Sequence, residues 1–121
     1  MKNKKTLVLG ASTNPSRYSF LAINSLIAHQ HTVLAIGNKK GTVGGVEISN
    51  ENVMVKDVDT ITLYLNPNNQ KPFYDYILAI QPKRIIFNPG TENDELENLA
   101  KNAGIETIEA CTLVMLASNQ Y

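Results

Sequence analysis

Short continuous apolar runs recur along the chain and predict buried strands. The segment 6–9 ends at Gly10, and its continuous run, rather than an alternating one, is typical of a strand covered on both faces of a parallel sheet. Similar segments follow at residues 32–36, 59–65, 83–87 and 105–109. The sequence therefore predicts a sheet of about five strands.

Longer amphipathic segments between these runs predict helices. Residues 19–29 place Phe20, Ile23 and Leu26 on one face, which is the spacing of a helix that packs on a sheet. Further helices are predicted at 72–81, between Thr91 and Gly104, and at 113–116. Thr91 is expected to cap the third helix, and Gly104 suits the end of that helix.

The alternation of strands and helices predicts a Rossmann-like doubly wound parallel sheet in three α/β/α layers. Neighbouring parallel strands need crossover connections, which the helices provide. The glycine-rich stretch 39–57 is expected to be a loop with short extended pieces. Ligands of such sheets lie outside the carboxyl ends of the strands. Functional residues are therefore expected in the turns at 10–19, 37–39, 65–67, 88–90 and 110–111.

Composition places the chain among ordinary globular proteins. Its 121 residues, 43% of them hydrophobic, fit a single domain over residues 1–121. Cys111 is the only cysteine, which excludes an internal disulfide and suits a reducing compartment. No apolar run approaches the ~18–20 residues of a membrane span, and the first residues lack a signal-peptide core. We therefore expect a cytoplasmic protein that does not contact a membrane.

The charges are unevenly distributed, although the formal net charge is +0. That balance argues against a nucleic-acid partner, because such proteins carry a basic excess. Six basic residues nevertheless precede the first acidic one, Glu47; they are Lys2, Lys4, Lys5, Arg17, Lys39 and Lys40. The asymmetry indicates an anionic partner for this part of the chain. On charge alone, a solvated basic surface explains it equally well.

The first turn, residues 10–19, carries residue types suited to binding phosphate. Gly10 permits a tight turn, hydroxyl side chains follow it, and the next helix begins with unpaired N–H groups. Arg17 adds a guanidinium that is able to contact phosphate in a bidentate manner. The alternative is structural: Ser16 or Ser19 caps the helix while Arg17 is merely solvated.

The turn differs from the dinucleotide fingerprint of nicotinamide-binding proteins. A Gly-x-Gly-x-x-Gly motif would have glycines where Ser12 and Pro15 stand. A nicotinamide site also has an acidic residue near the end of the second strand, whereas this chain has Asn38 followed by Lys39 and Lys40. Both NADP, with its ribose phosphate, and coenzyme A, with its 3′-phosphate, satisfy this charge pattern.

The run Gly-Ala-Ser-x-x-Pro-x-Arg-x-Ser at 10–19 resembles the signature of the small bacterial CoA-binding proteins. That family is related to the CoA-binding domain at the N-terminus of the succinyl-CoA synthetase α subunit. The resemblance covers nearly the whole chain and includes Val58-Asp59 and the Ala-x-x-Ala-Gly segment 100–104. The chain departs from the family in lacking a proline after Asn38 and in having Ala110 before the cysteine.

The resemblance implies binding of coenzyme A or an acyl-CoA by the first turn and the turn after the second strand, with no catalysis by the domain itself. The expected contact residues are Gly10, Ala11, Ser12, Thr13, Pro15, Arg17, Tyr18, Ser19, Gly37, Asn38, Lys39, Leu65 and Pro67. The alternative function is an NADP-dependent oxidoreductase or a redox-sensing nucleotide-binding domain. Association as a homodimer, or with another protein, is left open.

No catalytic or metal-binding set stands out in the sequence. His29 and His31 are expected to be surface or helix-end residues at the far end of the first helix, and no cysteine or acidic residue is spaced with them for a metal. Cys111 follows the fifth strand, but no histidine in the strand-end turns is placed to activate it. We therefore expect Cys111 to be a buried structural residue and predict no metal site.

Overall fold

The computed structural model of the protein describes residues 2–121, so Met1 of the expected domain lies outside the described residues. Within them, the strands are β1 Thr6–Leu9, β2 Val33–Ile36, β3 Gly41–Val43, β4 Val46–Ser49, β5 Thr60–Leu63, β6 Arg84–Phe87 and β7 Glu106–Glu109. The helices are α1 Tyr18–Ala28, α2 Pro67–Gln70, α3 Tyr74–Ile80, α4 Asp94–Asn102 and α5 Thr112–Ala117, with a 3-10 turn Lys71–Phe73 before α3.

The strands form one sheet in the order β3-β4-β2-β1-β5-β6-β7, and every neighbouring pair is parallel except β3 and β4. The chain moves outward from the central β1 first to one side and then to the other. This order is the doubly wound arrangement, so the predicted Rossmann-like α/β fold is confirmed. The carboxyl ends of β1 and β5 meet where the direction changes, and ligands of such sheets bind at this point.

The sheet has seven strands rather than about five, because the short extended pieces expected in the stretch 39–57 pair with each other as the hairpin β3–β4. Gly44 and Gly45, with φ of +56° and +85°, make its two-residue turn, and two positive φ values are typical of a type I′ turn. The hairpin extends the sheet because β4 pairs with the edge of β2, placing Ile48 beside Ala35.

Both faces of the sheet are covered, as the continuous apolar strands predict. Successive residues of β1 point to opposite faces. Leu7 and Leu9 belong to the core on the side of α3 and α4. Val8 belongs to the core on the side of α1 and α5. Each layer of helices therefore buries one side of the same strands.

The capping prediction for the start of α4 is wrong, whereas Gly104, with φ +80°, follows the C-cap Ala103 of this helix as expected. α4 begins after Asn93, whose Oδ1 accepts hydrogen bonds from the backbone N of Glu95 and Leu96 at 3.1 and 3.3 Å. Asn93, rather than Thr91, is thus its cap. α1 begins after Arg17 and has no side-chain cap. The structural alternative, in which a serine caps this helix, is therefore excluded.

Tyr121 packs against the opposite edge of the sheet, at the amino ends of the strands. Its ring lies 4.8 Å from the ring of His31 and 4.4 Å from Cζ of Arg84. Its backbone oxygen accepts a hydrogen bond from Lys4 Nζ at 2.8 Å. His31 is only 5% exposed; it lies at the end of α1, where its backbone N–H donates to the carbonyl of Leu26 at 3.0 Å, and not on the surface. Burial is the main cause that lowers the pKa of His31.

Candidate functional site

A cavity of about 940 Å³ lies outside the carboxyl ends of β2, β1, β5 and β6. The turns that follow these four strands form its walls. The lining residues are Gly10, Ala11, Ser12, Thr13, Asn14, Ser16, Arg17, Tyr18, Ser19, Ile36, Gly37, Asn38, Lys39, Tyr64, Leu65, Asn66, Asn69, Phe73, Pro89, Gly90 and Thr91. The cavity therefore occupies the place that the strand order assigns to a ligand.

Most of the residues expected at the site line this cavity. They are Gly10, Ala11, Ser12, Thr13, Arg17, Tyr18, Ser19, Gly37, Asn38, Lys39 and Leu65. Within the described chain, Pro15 and Pro67 do not line it. Pro67 is the first residue of α2, a position that suits proline, and the cavity is lined by Asn66 and Asn69 beside it.

Close packing of backbone segments shapes the first turn. Gly10 has φ +95°, and a Cβ atom there would lie 2.9 Å from the carbonyl carbon and oxygen of Tyr64. The backbone N–H groups of Gly10 and Ala11 both donate to the carbonyl of Ile36 at 2.9 Å. Glycine is thus required at position 10 by both its φ angle and the neighbouring chain.

Side-chain to backbone hydrogen bonds order the rest of this turn. Ser12 Oγ accepts from the backbone N of Asn14, and Asn14 Oδ1 accepts from the backbone N of Ser16, both at 3.0 Å. Such local bonds are common where serine and asparagine stabilise turns. The turn leads directly into α1, whose first N–H groups have no intrahelical acceptor.

The cavity has a basic side and an uncharged side. Arg17 and Lys39, both exposed, belong to the turns after β1 and β2. The turns after β5 and β6 contribute uncharged residues, among them Tyr64, Asn69 and Thr91. Among residues 2–121, neither cation has an acidic side chain within 4.0 Å, since the ion pair that this part of the chain contains joins Lys101 to Glu97. An anionic ligand thus meets cations that no carboxylate neutralises.

Tyr64 is the lining residue with a strongly shifted pKa. Burial raises the pKa of its phenol to about 12, and hydrogen bonds with the side chains of Thr62 and Thr112 oppose this effect only in part. The phenol is therefore neutral at physiological pH and is not available as a base.

The described lining of the cavity contains hydroxyls, amides, a guanidinium and an ammonium group. Among the described residues, no histidine, cysteine, aspartate or glutamate lines the cavity. Cys111 precedes α5 and is half-buried rather than fully buried. Residues 2–121 contain no group of three or more His, Cys, Asp or Glu side chains that could hold a metal. In the same residues, no helix has the length and apolar character to cross a bilayer.

Asn88 supports the site; its turn is expected at this edge, but its burial is not, because Asn-Pro-Gly is typical of an exposed turn. The residue is 2% exposed. Its Nδ2 donates to Thr62 Oγ1 at 2.7 Å and to the carbonyl of Leu63 at 2.8 Å. Its Oδ1 accepts from the backbone N of Thr112 at 2.9 Å. Asn88 thus joins β5, the turn after β6 and the start of α5.

Several solved structures share this fold. A protein described as uncharacterized is 50% identical in its crystal structure, with 100% of both chains covered and a TM-score of 0.97. A hypothetical protein from Pyrococcus horikoshii OT3 is 21% identical over 97% of this chain and 84% of its own, with a TM-score of 0.86. No curated protein sequence matches the chain significantly.

A larger enzyme contains the same fold in part of its length. It is the dinucleotide-forming acetyl-coenzyme A synthetase 1 of Ca. Korarchaeum cryptofilum, solved in complex with phosphate and ADP. The match has 18% identity and a TM-score of 0.70 over 89% of this chain and 26% of that one. A sequence profile described as CoA binding domain matches residues 4–117. The chain therefore belongs to the family of CoA-binding domains.

Proposed function

We propose that the protein binds coenzyme A or an acyl-CoA in the cavity at the carboxyl edge of the sheet, and that the domain carries out no reaction by itself. The observation that carries this proposal is the basic side of the cavity, where Arg17 at the start of α1 and Lys39 after β2 line one cavity that has no acidic lining residue among those described. Family membership supplies the ligand class. The described lining contains no histidine, cysteine, aspartate or glutamate, and this supports a binding function.

The charge distribution indicates how coenzyme A would lie. Its diphosphate suits the first turn, where a helix N-terminus and a guanidinium both favour negative charge. Its 3′-phosphate suits Lys39 in the neighbouring turn. The pantetheine arm, which is uncharged and has two amides, suits the side lined by Leu65, Asn66 and Thr91. The ligand would thus cross the sheet edge from β2 toward β6.

The alternative ligand, NADP, shares the requirement for an extra phosphate near Lys39. Ser12 stands where the nicotinamide fingerprint needs glycine for close approach of the diphosphate. Coenzyme A is therefore the better candidate, and a direct comparison of the two ligands separates the functions.

The test is thermal melting of the protein with CoA, acetyl-CoA, NAD and NADPH in parallel, followed by calorimetric titration of any ligand that stabilises it. A ligand at about 100 times its Kd stabilises the native state by about 2.7 kcal/mol. Stabilisation by CoA species alone supports the proposal. Stabilisation by NADPH alone, or by no ligand, contradicts it. The affinities of CoA and acetyl-CoA then show whether an acyl group is preferred.

The variant Arg17→Glu tests the location of the site. Charge-assisted hydrogen bonds contribute about 1.5–3 kcal/mol, so reversing the charge should weaken CoA binding by about tenfold or more. Lys83→Glu is the matched control, because it makes the same charge change at an exposed residue on the opposite edge of the sheet. Equal affinities of the two variants would show that the ligand binds elsewhere.

A further inference from the structure

Gln70 is a fully buried amide behind the uncharged side of the cavity. It lies at the end of α2 with 0% of its surface exposed. Its Nε2 donates to the carbonyl of Leu65 at 2.8 Å and to the carbonyl of Thr91 at 2.7 Å. Leu65 and Thr91 both line the cavity, in the turns after β5 and β6 respectively. One amide nitrogen thus joins two separate walls of the site.

The orientation of this amide is fixed by a second group of hydrogen bonds. Gln70 Oε1 accepts from Asn93 Nδ2 at 2.9 Å, and the same nitrogen donates to Tyr74 Oη at 2.8 Å. Because Oε1 meets a donor, Nε2 must face the two carbonyls. Both N–H groups and the carbonyl of the side chain are therefore used, and no rotation of the amide would satisfy the same partners.

The connection is confined to the uncharged side. The turns that carry Arg17 and Lys39 follow β1 and β2, and the hydrogen bonds of Gln70 do not reach them. The distance between the carbonyls of Leu65 and Thr91 is limited by the need for both to reach one nitrogen. A change at Gln70 is thus expected to alter one half of the cavity and to leave the phosphate-binding half unchanged.

We propose that Gln70 is a positioning residue that sets the spacing between the turns after β5 and β6, and thereby fits this half of the cavity to the pantetheine arm of coenzyme A. This inference rests on the proposed function. Gln70 does not line the cavity, so it acts through the two backbone segments it holds. The carbonyls of Leu65 and Thr91 would lose this donor without it, and the turns would move apart to find other donors.

The experiment compares two ligands that differ in the pantetheine arm. Calorimetry measures the affinities of CoA and of adenosine 3′,5′-bisphosphate for the wild type, Gln70→Glu and Gln70→Met. Glu keeps the size and the acceptor but removes the amide nitrogen, and Met removes every hydrogen bond. We expect the affinity for CoA to fall about tenfold in each variant, with the affinity for the bisphosphate unchanged. Gln81→Glu, exposed at the opposite edge, is the control and should leave both affinities unchanged.

The outcomes distinguish the two proposals. If the wild type binds neither CoA nor the bisphosphate, the proposed function is wrong. If the wild type binds CoA but Gln70 variants bind it normally, or lose both ligands equally, the positioning role is wrong.

Hydrogen exchange on the wild type provides a test that needs no variant. CoA should protect the backbone amides of residues 65–70 and 89–93, and the bisphosphate should not. Equal protection of these segments by both ligands, or protection by neither, would also overturn the positioning role.

Discussion

Gly37 lies where the turns after β1 and β2 pack most closely, and replacing it with alanine tests that geometry. A Cβ atom on Gly37 would lie 2.1 Å from the carbonyl oxygen of Ala11 and 3.2 Å from Cγ2 of Ile48. Ordinary contacts of a Cβ atom begin at 3.4 Å. The methyl group therefore meets a backbone segment on one side and the side chain of a strand on the other.

The neighbouring atoms have little freedom to move away. The N–H of Ala11 donates to Ile36 and the N–H of Gly37 donates to Ser49, both at 2.9 Å. Excess volume in a packed interior costs about 1–3 kcal/mol, and we expect the upper end, about 3 kcal/mol, because the main clash is with backbone. Since Ala11 and Gly37 both line the cavity, the shift should also weaken binding of CoA.

Urea unfolding of the variant, followed by titration with CoA, measures both effects. Gly45→Ala is the matched control, because no heavy atom lies within 4 Å of its added Cβ but its φ is +85°. Gly45→Ala should lower the free energy of unfolding by about 1–2 kcal/mol because of its backbone conformation alone, and it should leave the affinity for CoA unchanged. A smaller loss of stability in Gly37→Ala than in Gly45→Ala would refute the steric argument.

Two further predictions concern buried polar groups. Because burial lowers the pKa of His31, the unfolded chain takes up a proton near pH 6.5 before the native state does. The free energy of unfolding should therefore decrease as the pH falls below about 6.5. His31→Asn should make this decrease smaller in urea titrations between pH 7 and 5. The prediction is contradicted if the free energy of unfolding of the variant depends on pH as steeply as that of the wild type. Asn88→Ala leaves the carbonyl of Leu63 and the N–H of Thr112 without this partner and should cost about 2–3 kcal/mol in urea unfolding. Asn68→Ala, the control at an exposed residue, should change the free energy of unfolding little. Similar losses of stability in the two variants would contradict the role of Asn88.

The sequence predicted the architecture because its strongest signals are local. A strand such as β1, which is apolar at successive positions, is shielded from water only when both of its faces are covered. Helices on both sides of a parallel sheet provide that cover. Once that sheet is expected, the turns after its strands must meet at one edge. Most residues expected at the site follow from this rule and from the resemblance at 10–19, and they line one cavity.

The errors near the helix and strand ends arise where the local sequence allows more than one structure. Thr91 and Asn93 are both good capping residues, and only the path of the chain before α4 selects Asn93. The strands β3 and β4 mix polar and apolar residues around two glycines, so they lack the continuous apolar run that predicted β1. Their pairing is decided by the edge that β2 presents.

The polar residues inside the structure depended on tertiary contacts. Gln70, Asn88 and His31 occur in segments whose local sequence resembles exposed turns. Each is buried because partners distant along the chain satisfy it: Gln70 bonds to Thr91, Asn88 to Thr62, and His31 packs on Tyr121. A polar side chain enters a protein interior only when such partners are in place. The sequence alone thus determined the sheet and the edge that carries the site, whereas the tertiary structure decided which amides hold that edge together.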